Sequence, residues 1–136
     1  MKKALIVFGG WPGHEPEKCN EILSKFLNSE GYEVRSENST EAFAEDYVHE
    51  MDLIIPIVTM AFHHSPKGEI KKNEVNNLIK AVVNGCGLAG HHGGMCDAFR
   101  QSIDWQFLTG GQCVSHPNGI YNYKVNITKR NDPIME

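Results

Sequence analysis

Ala4-Leu5-Ile6-Val7-Phe8 is an unbroken apolar run closed by Gly9-Gly10, the pattern of a strand covered on both faces, as parallel sheets require. After a loop from Trp11 to His14, the stretch Glu15 to Ser29 places Ile22, Leu23, Phe26 and Leu27 on one helical face. Pro16 stands near its start and Gly31 at its end, where a left-handed cap is expected. Tyr32 to Arg35 reads as a short second strand. Ser39-Thr40 then offers a hydroxyl cap to a helix over Glu41 to Glu50. Leu53 to Val58 is a third buried strand, in which Pro56 requires a bulge or a missing ladder bond.

Between Asn73 and Gly85, the residues Val75, Leu78, Ile79, Val82 and Val83 fall at the i, i+3, i+4, i+7, i+8 positions of an amphipathic helix. Gly87-Leu88-Ala89-Gly90 is a fourth strand of small residues, and the turn His91 to Gly94 leads it into a helix from about Met95 to Ile103. The strand-helix alternation predicts an α/β fold: one doubly wound domain over residues 1–136, a mostly parallel sheet with helices on both faces. Tyr121, Tyr123, Val125 and Ile127 alternate with polar residues, which predicts an antiparallel edge strand near the C-terminus. No partner element is evident for Lys129 to Glu136.

Composition narrows the function classes. Hydrophobic residues make up 40% and charged ones 22% of the 136 residues, as in an ordinary globular domain. A formal net charge of -4 without a basic run argues against nucleic acid or an anionic membrane as partner. The longest apolar runs are too short to span a bilayer, and Met1-Lys2-Lys3 leads directly into a core strand, so a cytoplasmic protein acting on a small molecule is expected. Cys19, Cys86, Cys96 and Cys113 form no C-x-x-C pair and read as reduced, small buried hydrophobes.

Ligands of open α/β sheets bind beyond the carboxyl ends of the strands. His14 follows the first strand, His63 and His64 the third, and His91 and His92 the fourth, which puts five of the seven histidines on that rim. An ordinary solvated role suffices for His49 and for most of the His63-His64 pair, of which His63 is kept as a substrate contact. Several imidazoles at one rim favour proton transfer or metal ligation. Gly90-His91-His92-Gly93-Gly94 has the G-x-(apex)-x-G form of a nucleophile elbow, with His92 at the apex, where it can serve as base, relay or ligand. The competing reading is a glycine-rich turn that only packs. Asp97 either caps the next helix or points to the rim, and Cys96 is a weaker candidate nucleophile offset from the apex.

These residues suggest a family. Gly90 to Gly94 with Asp97, Phe99 and Arg100, then Thr109-Gly110-Gly111 and His116-Pro117, resembles the ThuA-like (trehalose utilisation) family. The Gly-Gly of strand one, His14 and the closing Asp132-Pro133-Ile134 match as well, so the resemblance covers nearly the whole chain. It implies a flavodoxin-like fold akin to class I glutamine amidotransferases, whose elbow carries a cysteine. With His92 there instead, glutamine hydrolysis is not expected, and the resemblance implies carbohydrate chemistry related to trehalose or keto-sugars. Members of the family usually continue beyond the Asp-Pro-Ile stretch, so a truncated form, or completion of the sheet by another chain in a homo-oligomer, is expected.

The resulting expectation is an enzyme acting on a sugar-derived substrate. His92, His14, Asp97 and His116 are its catalytic group, and His91, Gly93, Gly94, Gly10 and His63 its substrate contacts. A variant of it holds Zn²⁺ or a related divalent cation on His14, His92 and His116. The alternative is a non-catalytic module that binds a small molecule or protein on an amidotransferase-like fold, and a third reading makes Cys96 a hydrolase nucleophile.

Overall fold

A computed structural model describes residues 1–61 and 72–133. Strands β1 (Lys2–Gly10), β2 (Tyr32–Glu37), β3 (Leu53–Thr59) and β4 (Gly87–Leu88) form one sheet in the order β2-β1-β3-β4. Every pairing is parallel. β1 is central because Ala4, Leu5, Ile6 and Val7 are all fully buried, which only a strand covered on both faces achieves.

Alternate residues of that run feed two cores. Ala4 and Ile6 pack with Ile55, Ile57 and Leu27 beneath helix α1 (Pro16–Ser29). Leu5 and Val7 pack on the other face with Ile54, Val58, Phe43, Phe99, Trp105 and with Val75, Leu78 and Ala81 of helix α2 (Lys72–Val83). Helices on both faces of a parallel sheet define the doubly wound α/β architecture expected from the alternation.

The face that α1 buries differs from the periodicity reading. Pro16 and Leu27 are buried and Cys19 and Leu23 pack against the core, whereas Ile22 and Phe26 project outward at 62% and 57% exposure. The i, i+4, i+8 row Cys19-Leu23-Leu27 lies along the sheet, and the apolar residue preceding each of the last two is left over. Gly31 follows the helix at φ 81°, the left-handed conformation expected of it.

Pro56 sits in β3 without a bulge, in unbroken register with Val7. Ile54, two residues earlier and facing the same side, accepts a bond from the Ala89 amide. The missing Pro56 N–H therefore falls on that same side, past the end of the two-residue β4, where no ladder donor is needed.

The expected helix over Glu41 to Glu50 is instead two 3₁₀ turns, Thr40–Ala44 and Asp46–Glu50, broken at the extended Glu45. Ser39 Oγ does accept from the Glu41 amide at 3.2 Å. Phe43 and Val48 are both buried; on one α-helix, residues five apart would point about 140° away from each other. The break lets both reach the core. The helix expected from Met95 to Ile103 is likewise split into α3 (His92–Cys96) and α4 (Ile103–Thr109), the latter capped by Ser102 Oγ accepting from the Trp105 amide. The intervening turn seats Phe99 edge-on between Phe43 and Trp105, with ring centroids 6.0 and 5.0 Å away.

The antiparallel strand expected over Tyr121 to Thr128 is not formed. Among the described residues the segment has no ladder partner, and Tyr121, Tyr123, Val125 and Ile127 are exposed. Alternation marks a chain able to pair, but a strand exists only where an edge is presented to it. Among the described residues no helix is long and apolar enough to cross a membrane.

Trp105 is 1% exposed and donates its indole N–H to the Met95 carbonyl at 3.0 Å, whereas Phe107 on the same helix is 82% exposed. Trp105→Ala is expected to lower stability by about 3–5 kcal/mol, and Phe107→Ala by less than about 0.5 kcal/mol. Denaturant titration of both variants measures the difference.

Candidate functional site

The site lies where β1, β3 and β4 end. β4 gives way at Gly90 to a turn whose Gly93 and Gly94 approach the end of β3 closely. A Cβ on Gly94 would stand 2.9 Å from Ile57 Cα, and one on Gly93 would stand 3.0 Å from Thr59 Cγ2 and 3.3 Å from His14 Cε1. At Gly94 that distance leaves no room beside backbone, whereas at Gly93 the neighbours are side chains that a methyl group would crowd. A Cβ on Gly90 would meet Met95 at 2.7 Å. Squeezed between these contacts, His92 adopts φ 51°, a left-handed conformation that a non-glycine residue holds at a cost of about 1–2 kcal/mol. Strain at the apex of a strand-to-helix turn is the hallmark of an elbow that aims one side chain.

His14 reaches the same place from the loop after β1. The turn Pro12–His14 and the left-handed Glu15, φ 47°, direct its ring toward the end of β3. There its Nδ1 makes a 2.7 Å hydrogen bond with Oγ1 of buried Thr59. The His14 ring stands edge-on to His92 at 4.8 Å and to Trp11 at 4.9 Å. His14, His91, His92, Thr59, Ile57 and Gly94 line a cleft of about 170 Å³. Burial of the His14 imidazole holds its pKa below the usual histidine value; the neighbouring His92 and His91 add to the lowering and the Asp97 charge opposes it. At neutral pH this ring is uncharged.

The remaining sequence candidates occupy other positions. Gly93 is buried behind the cleft, packed on Thr59 and His14. Gly10, φ 88°, lets the end of β1 pass against β3, where a Cβ would be 2.4 Å from the Thr59 carbonyl oxygen. Asp97 ends α3 and is buried; its carboxylate is engaged by Arg100, and its own carbonyl accepts from the Met60 amide. It acts on the cleft through its charge, without lining it. His116 is exposed in the C-terminal segment, its Nδ1 3.1 Å from the Pro117 carbonyl oxygen, and is not among the lining residues.

His63 and His64 lie outside the described residues, as does Ile134. Cys96 does not line the cleft, and its carbonyl accepts from the Cys113 amide. Cys86, between α2 and β4, is a half-buried thiol whose pKa is pushed up to about 11 by desolvation and by nearby Asp52.

Among the described residues no three His, Cys, Asp or Glu side chains converge, and the His14, His92, His116 set is not assembled. Thr59, which lines the cleft, and Trp11, which packs on the His14 ring without lining it, are residues that the sequence did not single out. The only signal for Thr59 was its place at the carboxyl end of β3, and for Trp11 its place in the loop that delivers His14.

A flavodoxin-like α/β sheet with a strained histidine at the turn after β4, met by a second imidazole from the loop after β1, defines an elbow-type domain whose apex carries an imidazole. A family model described as ThuA, trehalose utilisation, matches residues 3–136, and the chain belongs to that family. No curated protein and no solved structure matches the chain.

Two expectations follow from this geometry. Gly94→Ala, which sets a methyl group against the β3 backbone, is expected to cost about 1–3 kcal/mol, with loss of the His14–His92 ring contact visible in histidine NMR shifts. Because the folded-state pKa of His14 is depressed, the unfolded chain binds more protons as pH drops through about 6.5. This contribution to stability is complete above that pH and is lost toward the folded-state value. Thermal melts of wild type and His14→Gln between pH 5 and 8 should therefore converge at acidic pH relative to their spacing at neutral pH.

Proposed function

We propose that this ThuA-family chain is an enzyme that acts on a sugar-derived substrate, with His14 and His92 as its acid-base pair. The observation that carries the reading is the strained His92 apex set 4.8 Å from a His14 ring whose Nδ1 is held by Thr59. In the tautomer whose Nδ1–H donates to Thr59 Oγ1, the neutral His14 ring keeps an Nε2 lone pair, which a general base needs. His92 at the apex meets the substrate and relays the proton. His91 and Gly94 contribute to the wall, and the buried Asp97 charge favours the protonated form of His14 once a proton is taken. His116 has no part in this arrangement. A thiol nucleophile is not required, and the family's trehalose-utilisation description supports a carbohydrate as substrate class.

The second reading, a binding module without turnover, is favoured by one observation: among the described residues no carboxylate lines the cleft, so neither imidazole has the acidic partner that commonly orients a catalytic histidine.

His92→Ala is expected to abolish turnover of a sugar substrate, a loss of at least about 100-fold, while the domain stays folded. His92→Gly, which relieves the positive φ, is expected to be as stable as wild type or up to about 1 kcal/mol more stable, and equally inactive. Full activity of either variant sinks the acid-base assignment. Binding of sugars with no turnover in wild type favours the second reading.

A further inference from the structure

The loop that carries His14 begins with Trp11, an indole left 52% exposed that packs on the outer side of His14 without itself lining the cleft. Its position is specified. The six-membered ring of the indole fills the space that a Gly13 Cβ would need, with Trp11 ring atoms 2.5 Å from that point. Its centroid stands 4.9 Å from the His14 ring at an interplanar angle of 79°. Gly13 thus serves as a seat for the ring, and His14 fixes its edge. An indole held in place yet half open to solvent is incompletely used by the fold.

The cleft that His14 lines offers imidazoles, a hydroxyl and Ile57, with no carboxylate, lysine or arginine among its described lining residues. Such walls suit an uncharged ligand rich in hydroxyl groups, because each donor or acceptor can pair without desolvating a formal charge. At about 170 Å³ the space is below the size of ordinary drug-scale pockets and matches a single ring.

We infer that Trp11 is the binding platform of this site, stacking against the C–H face of one pyranose or furanose ring while the His14, His91 and His92 side chains bond the hydroxyls on its rim. The inference rests on the carbohydrate reading above and adds the residue that selects a sugar ring by its apolar face.

The chain has two tryptophans, and the other, Trp105, is 1% exposed in the core. Intrinsic fluorescence therefore separates the platform from the fold. Wild type, Trp11→Tyr and Trp11→Ala are titrated with D-glucose, trehalose, D-fructose and, as a flat aromatic control, adenosine. Emission and calorimetric heats are both recorded. The expected result is a saturable emission change with at least one sugar in wild type. In Trp11→Ala that change disappears and the Kd rises about tenfold, the loss typical of one stacked ring. Trp11→Tyr stays within a few-fold of wild type, and unchanged Trp105 emission in both variants shows that the core is intact.

Sugar binding with the wild-type Kd in Trp11→Ala overturns the platform and leaves the carbohydrate reading standing. Binding of adenosine in preference to every sugar overturns the platform's assignment to a sugar ring. Absence of binding by all three sugars in wild type overturns both the platform and the carbohydrate reading.

Discussion

The close approach of Gly93 and Gly94 to the end of β3 is the constraint on which the site depends. At Gly94 the requirement is spatial: the position opposite Ile57 Cα cannot hold even a methyl group without moving backbone. That contact brings the start of α3 against the sheet, and the turn between β4 and α3 is then too short to close with ordinary dihedrals. His92 absorbs the difference at φ 51°. The strained apex is a consequence of packing two residues further on, and the same packing brings His92 within ring contact of His14.

A second consequence is electrostatic. Among the described residues no carboxylate, lysine or arginine lines the cleft, and the Asp97 carboxylate that acts on His14 is paired with Arg100, whose guanidinium pKa it raises. Asp97 also joins the end of α3 to the rim of β3 through its carbonyl and the Met60 amide. It therefore stiffens the frame and supplies a muted field, while His14, relieved of any direct ion pair, stays neutral near physiological pH. A neutral imidazole such as His14 at a narrow cleft can exchange a proton with a substrate without first shedding a bound counter-ion.

Much of the fold was legible in the chain because burial on both faces leaves an unambiguous mark. The runs Ala4 to Phe8 and Leu53 to Val58 and the periodicity over Asn73 to Gly85 all became the elements they indicated. Legibility failed where one pattern was compatible with two backbones. Phe43 and Val48 are apolar in a helix-length window, yet both must face one core, which an unbroken helix forbids. Phe99 sits inside what looked like a single helix, and its seat between Phe43 and Trp105 requires a turn there. Tyr121 to Thr128 alternates as a strand does, but pairing depends on an edge elsewhere in the molecule.

For the site, residue types and spacing determined that an imidazole stands at the apex of a glycine-flanked turn and that several histidines gather on the carboxyl rim of a parallel sheet. These are local properties, written in the identity of Gly90 to Gly94 and in the order of strands and loops. Tertiary structure alone decided which of those histidines meet. His14 and His92, 78 positions apart in the chain, share a cleft because β1 and β4 flank β3. His116 and Asp97 do not line it, since one lies in an exposed segment and the other is held by Arg100. Thr59 reached the cleft, and Trp11 the His14 ring, by the same route: contact across strands depends on register and on which loop folds over which strand end, and neither is encoded in the neighbourhood of the residues that come together.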